Sequence, residues 1–265
     1  MAPAATNLGL NLHILAETPQ VGAVAAVRTA IVGDYKNLDT LREFAAGKDV
    51  ITFDHEHVPT ELLHTLIAEG VNVQPRPEAL QYAQDKLLMR AAIERLGLPN
   101  PRWAKVSTLT ELLEFGDATG WPAVLKTPRG GYDGKGVLVL ESAGDARERA
   151  ASWFNQLESR TDFSSLLAEE KVPFTRELSA LVARRESGQV IPWPVAETIQ
   201  VHSVCDEVIS PAPNLEAQVA AAASEAAVHI ATELGVTGVM AVELFEVPGS
   251  ASGVYINELA VRPHN

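Results

Sequence analysis

The stretch Met240-Ala241-Val242-Glu243 and, after a short interval, Tyr255-Ile256-Asn257-Glu258-Leu259-Ala260-Val261-Arg262-Pro263-His264-Asn265 decides how this chain is read. Two short apolar runs each deliver one glutamate, and the two glutamates are fifteen residues apart. The second run sets an asparagine beside its glutamate and leads into Arg-Pro-His-Asn. Hard divalent cations such as Mg2+ take a few carboxylate oxygens and complete their shell with phosphates and water. Two adjacent antiparallel strands can aim Glu243, Asn257 and Glu258 at one such shell. The same glutamates also read as ordinary solvent-facing strand residues, and the cluster alone does not decide between the two.

Working outward, Val124-Leu-Lys126-Thr-Pro-Arg-Gly130-Gly131-Tyr132-Asp133-Gly134-Lys135-Gly136-Val137 holds four glycines in seven residues. Glycines let backbone amides approach an anion closely, and successive amides form a nest for phosphate oxygens. Lys126, at a strand end, supplies a point charge for phosphate. The run lacks the Gly-Lys-Ser/Thr that opens a helix in a phosphate loop, and it lacks the dinucleotide pattern. It joins two strands, so it reads as a flap or as a plain glycine hairpin. Glu169-Glu170-Lys171-Val172 and Glu177 form a third feature. A strand there can offer backbone groups to a purine edge and a carboxylate to ribose hydroxyls, although solvated glutamates give the same pattern.

The chain has 265 residues, 46% hydrophobic and 21% charged, an ordinary balance that allows one to three cores. Its net charge of -13 argues against a polyanion-binding surface, so no nucleic acid is expected. The single Cys205 cannot form an internal disulfide and has no base partner, and no apolar run approaches a membrane span. These features predict a cytoplasmic protein.

The first hundred residues alternate between short apolar strands and amphipathic helices. Strands are predicted at Leu10 to Ala16, Thr29 to Val32, Val50 to Phe53 and Val71 to Val73. Helices are predicted at Leu38 to Ala46, Thr60 to Glu69 and Asp85 to Leu96. That is the order of a parallel, doubly wound sheet. Asn37 or Asp39 is expected to cap the first helix and Thr60 the second. Leu98-Pro-Asn-Pro101 reads as a connector, which divides the chain into 1–98 and 99–265.

Beyond the connector the order is α+β. A strand at Trp103 to Val106 and a helix at Thr110 to Ala118 precede the strand pair around the glycine loop. A helix from Asp145 to Leu157 follows. Antiparallel strands are predicted at Leu166 to Val172, Glu177 to Arg184, Val190 to Thr198 and Val204 to Ser210. A long alanine-rich helix, Leu215 to Leu234, packs on the sheet or on a second subunit. His55, Glu56 and His57 lack further ligands at a zinc spacing and sit where ligands of open α/β sheets gather. The four tryptophans read as packing residues.

Taken in order, the lysine and glycine flap, Glu169 to Val172 with Glu177, then Glu243, then Asn257-Glu258 resemble the ATP-grasp superfamily. Gly130 to Gly136, Asn257 to Asn265 and Thr52-Phe-Asp-His-Glu-His-Val-Pro59 are similar to the 5-(carboxyamino)imidazole ribonucleotide synthase family of purine biosynthesis. The resemblance covers nearly the whole chain. It implies a Rossmann-like pre-ATP-grasp domain followed by an ATP-grasp module, so the fold class is α/β and α+β. It also implies a ligase that uses ATP, Mg2+ and bicarbonate to carboxylate the exocyclic amine of 5-aminoimidazole ribonucleotide through carboxyphosphate, in a homodimer.

By the same resemblance, Lys86 and Lys126 hold ATP phosphates, and Gly131, Tyr132, Asp133, Gly134, Lys135, Gly136 and Val137 fold over them. Glu169, Glu170, Lys171 and Val172 line the adenine, and Glu177 takes the ribose. Gln200 stands where the family often has a nucleotide-contacting histidine. Glu243, Glu258 and Asn257 bind Mg2+, the last two also touching nucleotide. Arg262 stabilises carboxyphosphate or substrate phosphate with His264 and Asn265 nearby, and Asp133 lies near the substrate amine.

Against the family pattern, the first strand with its Gly-Gly-Gly-Gln-Leu turn and the segment after His-Asn are absent, and Val261 replaces a proline. The chain is therefore expected to be incomplete at both ends. Two alternatives remain open. One is another ATP-grasp ligase of the formate-dependent transformylase or biotin carboxylase type. The other is a nucleotide-binding but inactive fragment.

Overall fold

The computed structural model describes residues 1–131 and 136–263. The chain divides into two compact units, Met1–Pro77 and Glu78–Asn265. This division falls earlier than the Leu98 to Pro101 connector, because the helix before that connector belongs with the second unit.

The first unit holds β1 (Ile14–Ala16), β2 (Ala30–Val32) and helices α1 (Ala2–Asn7), α2 (Gly22–Ala26), α3 (Leu38–Ala45) and α4 (Thr60–Ala68). β1 and β2 pair in parallel, and a parallel bridge joins Ile51 to Val73. The parallel sense matches the expectation, but the strands are shorter, and 50–53 and 71–73 are reduced to that bridge. Residues 10–13 of the strand expected over Leu10 to Ala16 lie outside β1, and ahead of them the chain opens with helix α1, where Pro3 suits a first turn. Asn37 caps α3, its side chain accepting from the Thr40 amide. The residue that precedes α4 is Pro59, with Thr60 as the first helical residue.

At the boundary between the units, α5 (Pro77–Gln84) occupies a stretch for which no element was expected; Pro77 opens the helix, where its missing N–H costs nothing. Next comes α6 (Lys86–Arg95), capped by Asp85, whose carboxylate accepts from the Leu87 and Leu88 amides. Then follow β3 (Trp103–Val106), α7 (Leu109–Thr119), β4 (Ala123–Lys126), β5 (Val137–Leu140), α8 (Ala143–Arg149), α9 (Ala151–Leu157) and β6 (Leu166–Glu170). The helix expected from Asp145 to Leu157 is thus two short helices meeting at Ala150. The order β3-β6-β4-β5 makes a four-stranded antiparallel sheet. Its core side buries Leu112, Leu125, Leu140, Ala146, Leu166 and Ala168.

The rest of the unit is β7 (Arg176–Arg184), β8 (Val190–Pro192), β9 (Ala196–Val201), β10 (Val204–Ile209), α10 (Ala217–Glu233), β11 (Gly238–Glu246) and β12 (Val254–Ala260). Five strands run in the order β10-β9-β7-β11-β12, and β8 also pairs with β7. The strand expected over Val190 to Thr198 divides because Trp193-Pro194 interrupts it. Helix α10 lies on this sheet, burying Ala223, Ala226, Ala227, Ile230 and Ala231. Alternation along β7 and β11 puts Leu178, Ala180, Val182, Val242 and Leu244 in the core and leaves the odd-numbered residues on the other face. No helix among the described residues is long and apolar enough to cross a membrane.

Candidate nucleotide and metal site

Two sheet faces bear the predicted chemistry. On the four-stranded sheet, Ala123 and Leu125 of β4 turn into the core, so Val124 and Lys126 face the other way. β6 runs antiparallel beside it, with Glu169 opposite Val124 and Leu167 opposite Lys126. Glu169 and Lys126 are therefore diagonal neighbours on one face. The Lys126 Nζ lies 2.7 Å from Glu169 Oε2. The other Glu169 oxygen accepts from Arg90 Nε at 2.5 Å. Burial pushes the Glu169 carboxyl up, but the Arg90 guanidinium and the Lys126 ammonium outweigh it and hold the group down at about 2.

On the six-stranded sheet, antiparallel register places Ser179 opposite Glu243 and Glu243 opposite Glu258. Glu177 stands two residues from Ser179 and opposite Thr198. Strand alternation thus collects Glu177, Ser179, Glu243 and Glu258 on the face away from α10. Burial raises the Glu177 carboxyl, the Glu243 charge raises it further, and Lys126 opposes both. The lysine strand and the acidic strands are joined through Arg90, which shares Glu169 with Lys126 and bonds the β12 carbonyls of Ile256 and Asn257. Lys86, at the start of α6, closes the group: its Nζ lies 2.6 Å from Glu258 Oε1.

Between Glu243 and Leu244 the register of β11 against β12 shifts, and Asn257 is left without a partner. This is a β-bulge, a device that re-aims side chains. The bulge lies on the free edge of the sheet, and Arg90 covers it. Arg90 is fully buried and donates to the carbonyls of Ile256 at 2.7 Å and Asn257 at 2.8 Å, and to Asn100 Oδ1 at 3.0 Å. The Ile256 amide donates to Pro99 O at 3.0 Å. Sequence reasoning missed Arg90. The available signal was an arginine three residues before Ile93, on the buried side of an amphipathic helix.

Other predicted residues are placed as follows. Glu170 pairs outward with Arg102 at 2.7 Å, Lys171 is 3.9 Å from Glu141, and Val172 is buried. Gln200 is exposed on β9 opposite Cys205. Cys205 faces the site more closely than its sequence suggested: burial raises its thiol, and the Glu243, Glu177 and Asp206 charges raise it further. Gly131 and Gly136 both have positive φ, and Val137 pairs with Lys126. Arg262 donates to the Pro263 carbonyl at 3.1 Å. Tyr132, Asp133, Gly134, Lys135, His264 and Asn265 lie outside the described residues. A hollow of about 490 Å3 lined by Ser107, Phe154 and Glu158, among others, includes none of the predicted site residues.

The donor set fits the expected ligands. Among the described residues no three His, Cys, Asp or Glu side chains are set to hold a metal by themselves. Two carboxylates and an amide suit Mg2+ that draws its remaining ligands from phosphate and water. The Ser179 hydroxyl is fully buried on the same face and has no hydrogen-bond partner among the described residues. At the flap base, a Cβ on Gly136 would meet Thr127 Oγ1 at 2.5 Å and the Gly131 Cα at 3.1 Å. The Thr127 hydroxyl there is likewise buried and has no partner among the described residues.

A lysine hairpin facing acidic antiparallel strands defines the ATP-grasp class, and residues 91–265 match the ATP-grasp domain model. Residues 1–84 match the Ribonucleotide synthetase preATP-grasp domain model. An N5-carboxyaminoimidazole ribonucleotide synthase from Mycobacterium bovis is 46% identical over 262 residues, covering 99% of this chain and 59% of the relative. A crystal structure of the ADP complex of an N5-carboxyaminoimidazole ribonucleotide synthetase aligns with a TM-score of 0.88 and 33% identity, covering 100% of this chain and 67% of that one. The Aspergillus clavatus enzyme in complex with ADP and 5-aminoimidazole ribonucleotide aligns at 0.82 and 26%, covering 99% and 66%. The chain belongs to the N5-carboxyaminoimidazole ribonucleotide synthase family. It spans about three-fifths of the length of the curated relatives it matches.

Proposed function

We propose that this chain carries the nucleotide and metal site of an ATP-dependent ligase of purine biosynthesis that carboxylates 5-aminoimidazole ribonucleotide on its exocyclic amine. The observation that supports this most is the convergence of Lys86, Lys126, Glu177, Glu243 and Glu258 within one compact unit. Lys86 and Lys126 would bind the ATP phosphates, and Glu177 the ribose hydroxyls. Backbone groups of 169–172 would line the adenine, with Gln200 beside the nucleotide. Glu243, Glu258 and Asn257 would hold Mg2+, which when bound neutralises charge between the phosphates.

In the reaction a bicarbonate oxygen attacks the γ-phosphorus, and the bond to the bridging oxygen of ADP breaks. The carboxyl carbon of the resulting carboxyphosphate then passes to the amine, either directly or as CO2, with release of phosphate. The protein's share is to position the reactants, neutralise charge and exclude water. The glycine run 131–137 would close over the phosphates, with Asp133 toward the amine. Arg262, His264 and Asn265 would face the carboxyphosphate. A homodimer belongs to the same proposal and rests on the resemblance, and a cytoplasmic location rests on the lone cysteine and the absence of a membrane-length apolar run in the sequence.

The test is ADP release from Mg-ATP with 5-aminoimidazole ribonucleotide and bicarbonate, each omitted in turn. Dependence on both is expected, and Glu258→Ala should abolish it. Release that needs neither compound, or an unimpaired Glu258→Ala, refutes the assignment. Strict dependence on formate or biotin instead would favour a different ATP-grasp ligase.

A further inference from the structure

We propose that Arg90 is a positioning residue for this site: it clamps the β12 bulge that aims Asn257 and Glu258 and ties that bulge, through Glu169, to the lysine strand. The inference rests on the nucleotide and metal reading above and adds a residue to it.

Three observations carry it. Arg90 is fully buried, and its guanidinium spans Glu169 on β6, Asn100 beyond α6, and the carbonyls of Ile256 and Asn257 on β12. A planar fork of fixed donors can serve these acceptors at once, whereas a lysine ammonium cannot match that geometry. Its two carbonyl partners are the unpaired bulge residue and the residue before it, so losing Arg90 frees the backbone that sets where the Asn257 and Glu258 side chains point. Finally, Arg90 and Lys126 share one carboxylate. The buried triad of two cations and one anion keeps a net positive charge, so Lys126 stays available to a phosphate. Without Arg90, Glu169 would pair with Lys126 alone and cancel it.

The role is distinct from a purely structural one because it acts on the metal. The experiment is calorimetric titration of the whole chain with ADP, with and without Mg2+. In the wild type, Mg2+ should tighten ADP binding. Arg90→Lys keeps the buried positive charge but not the donor fork. It should reduce that tightening about tenfold while metal-free ADP affinity stays within about twofold. An Arg90→Lys protein that keeps the full Mg2+ effect overturns the proposal and leaves Arg90 a structural residue.

If Arg90→Lys does not fold, the same measurement is made on Arg90→Met/Glu169→Met, which leaves neither buried charge behind. Loss of the Mg2+ effect in that variant supports the clamp, and its retention overturns it. A wild-type chain that binds no ADP sinks the underlying reading and the inference with it, an outcome distinct from binding that ignores Arg90.

Discussion

Glu169 is 3% exposed and grips two cations, so its contribution to stability depends on remaining ionised. Its carboxyl sits near 2 when folded, against an ordinary value of 4.5. A depressed acid of this kind contributes in full above its unfolded value and is lost as pH falls through its folded value. The wild type should therefore lose stability between pH 4.5 and 2 more steeply than Glu169→Gln. At neutral pH, Glu169→Gln strands Arg90 in the core and should cost about 3–5 kcal/mol in urea unfolding. Parallel pH curves for the two proteins would refute the assignment.

The sequence marked Glu169 as a site residue through its neighbours, but the role implied for it was adenine contact. Nothing local could reveal the ion pair with Arg90, because the partners are 79 residues apart and meet only once Arg90 on α6 reaches both β6 and β12. The direction in which Lys126, Glu243 and Glu258 point could be read in advance, because each lies on a short apolar run whose period of two fixes its face.

At the scale of elements, the second unit beyond the connector follows the predicted order, whereas in the first unit the strands expected at 50–53 and 71–73 shrink to the single Ile51–Val73 bridge; in the second unit the errors fall where two elements touch end to end. Ala150 joins α8 to α9, and nothing in that run reads as a break. Trp193-Pro194 does interrupt a ladder, since proline cannot donate to it. Among the helices, α7 shows how packing overrides propensity. Gly116 is unfavourable in a helix, yet a Cβ there would come within 2.2 Å of the Trp121 ring. Gly116→Ala should therefore destabilise by about 1–3 kcal/mol in spite of the better helix former. Gly144 in α8 meets only Ser142 Oγ, at 3.6 Å, and Gly144→Ala should be neutral or stabilising by up to about 1 kcal/mol. Equal melting temperatures for the two variants would count against the packing argument.

At the scale of the molecule, a ligand that binds only the folded site must stabilise it by mass action. Mg-ADP at a hundredfold excess over its Kd should add about 2.7 kcal/mol. Hydrogen exchange should show the added protection concentrated in β7, β11 and β12, the strands that carry Glu177, Glu243 and Glu258. Protection elsewhere with none in these strands would place the nucleotide at another site.

The lysine–carboxylate pairs have a kinetic consequence. Lys86 is already matched by Glu258, and Lys126 shares the Glu169 carboxylate with Arg90. The whole chain carries a net charge of -13. Such a surface offers an approaching triphosphate little long-range pull, and capture must proceed by local swapping of counter-ions once the nucleotide has arrived. Stopped-flow association rates should accordingly stay flat, or rise slightly, as ionic strength increases. A steep fall with added salt would mean that the lysines are not engaged before the nucleotide comes.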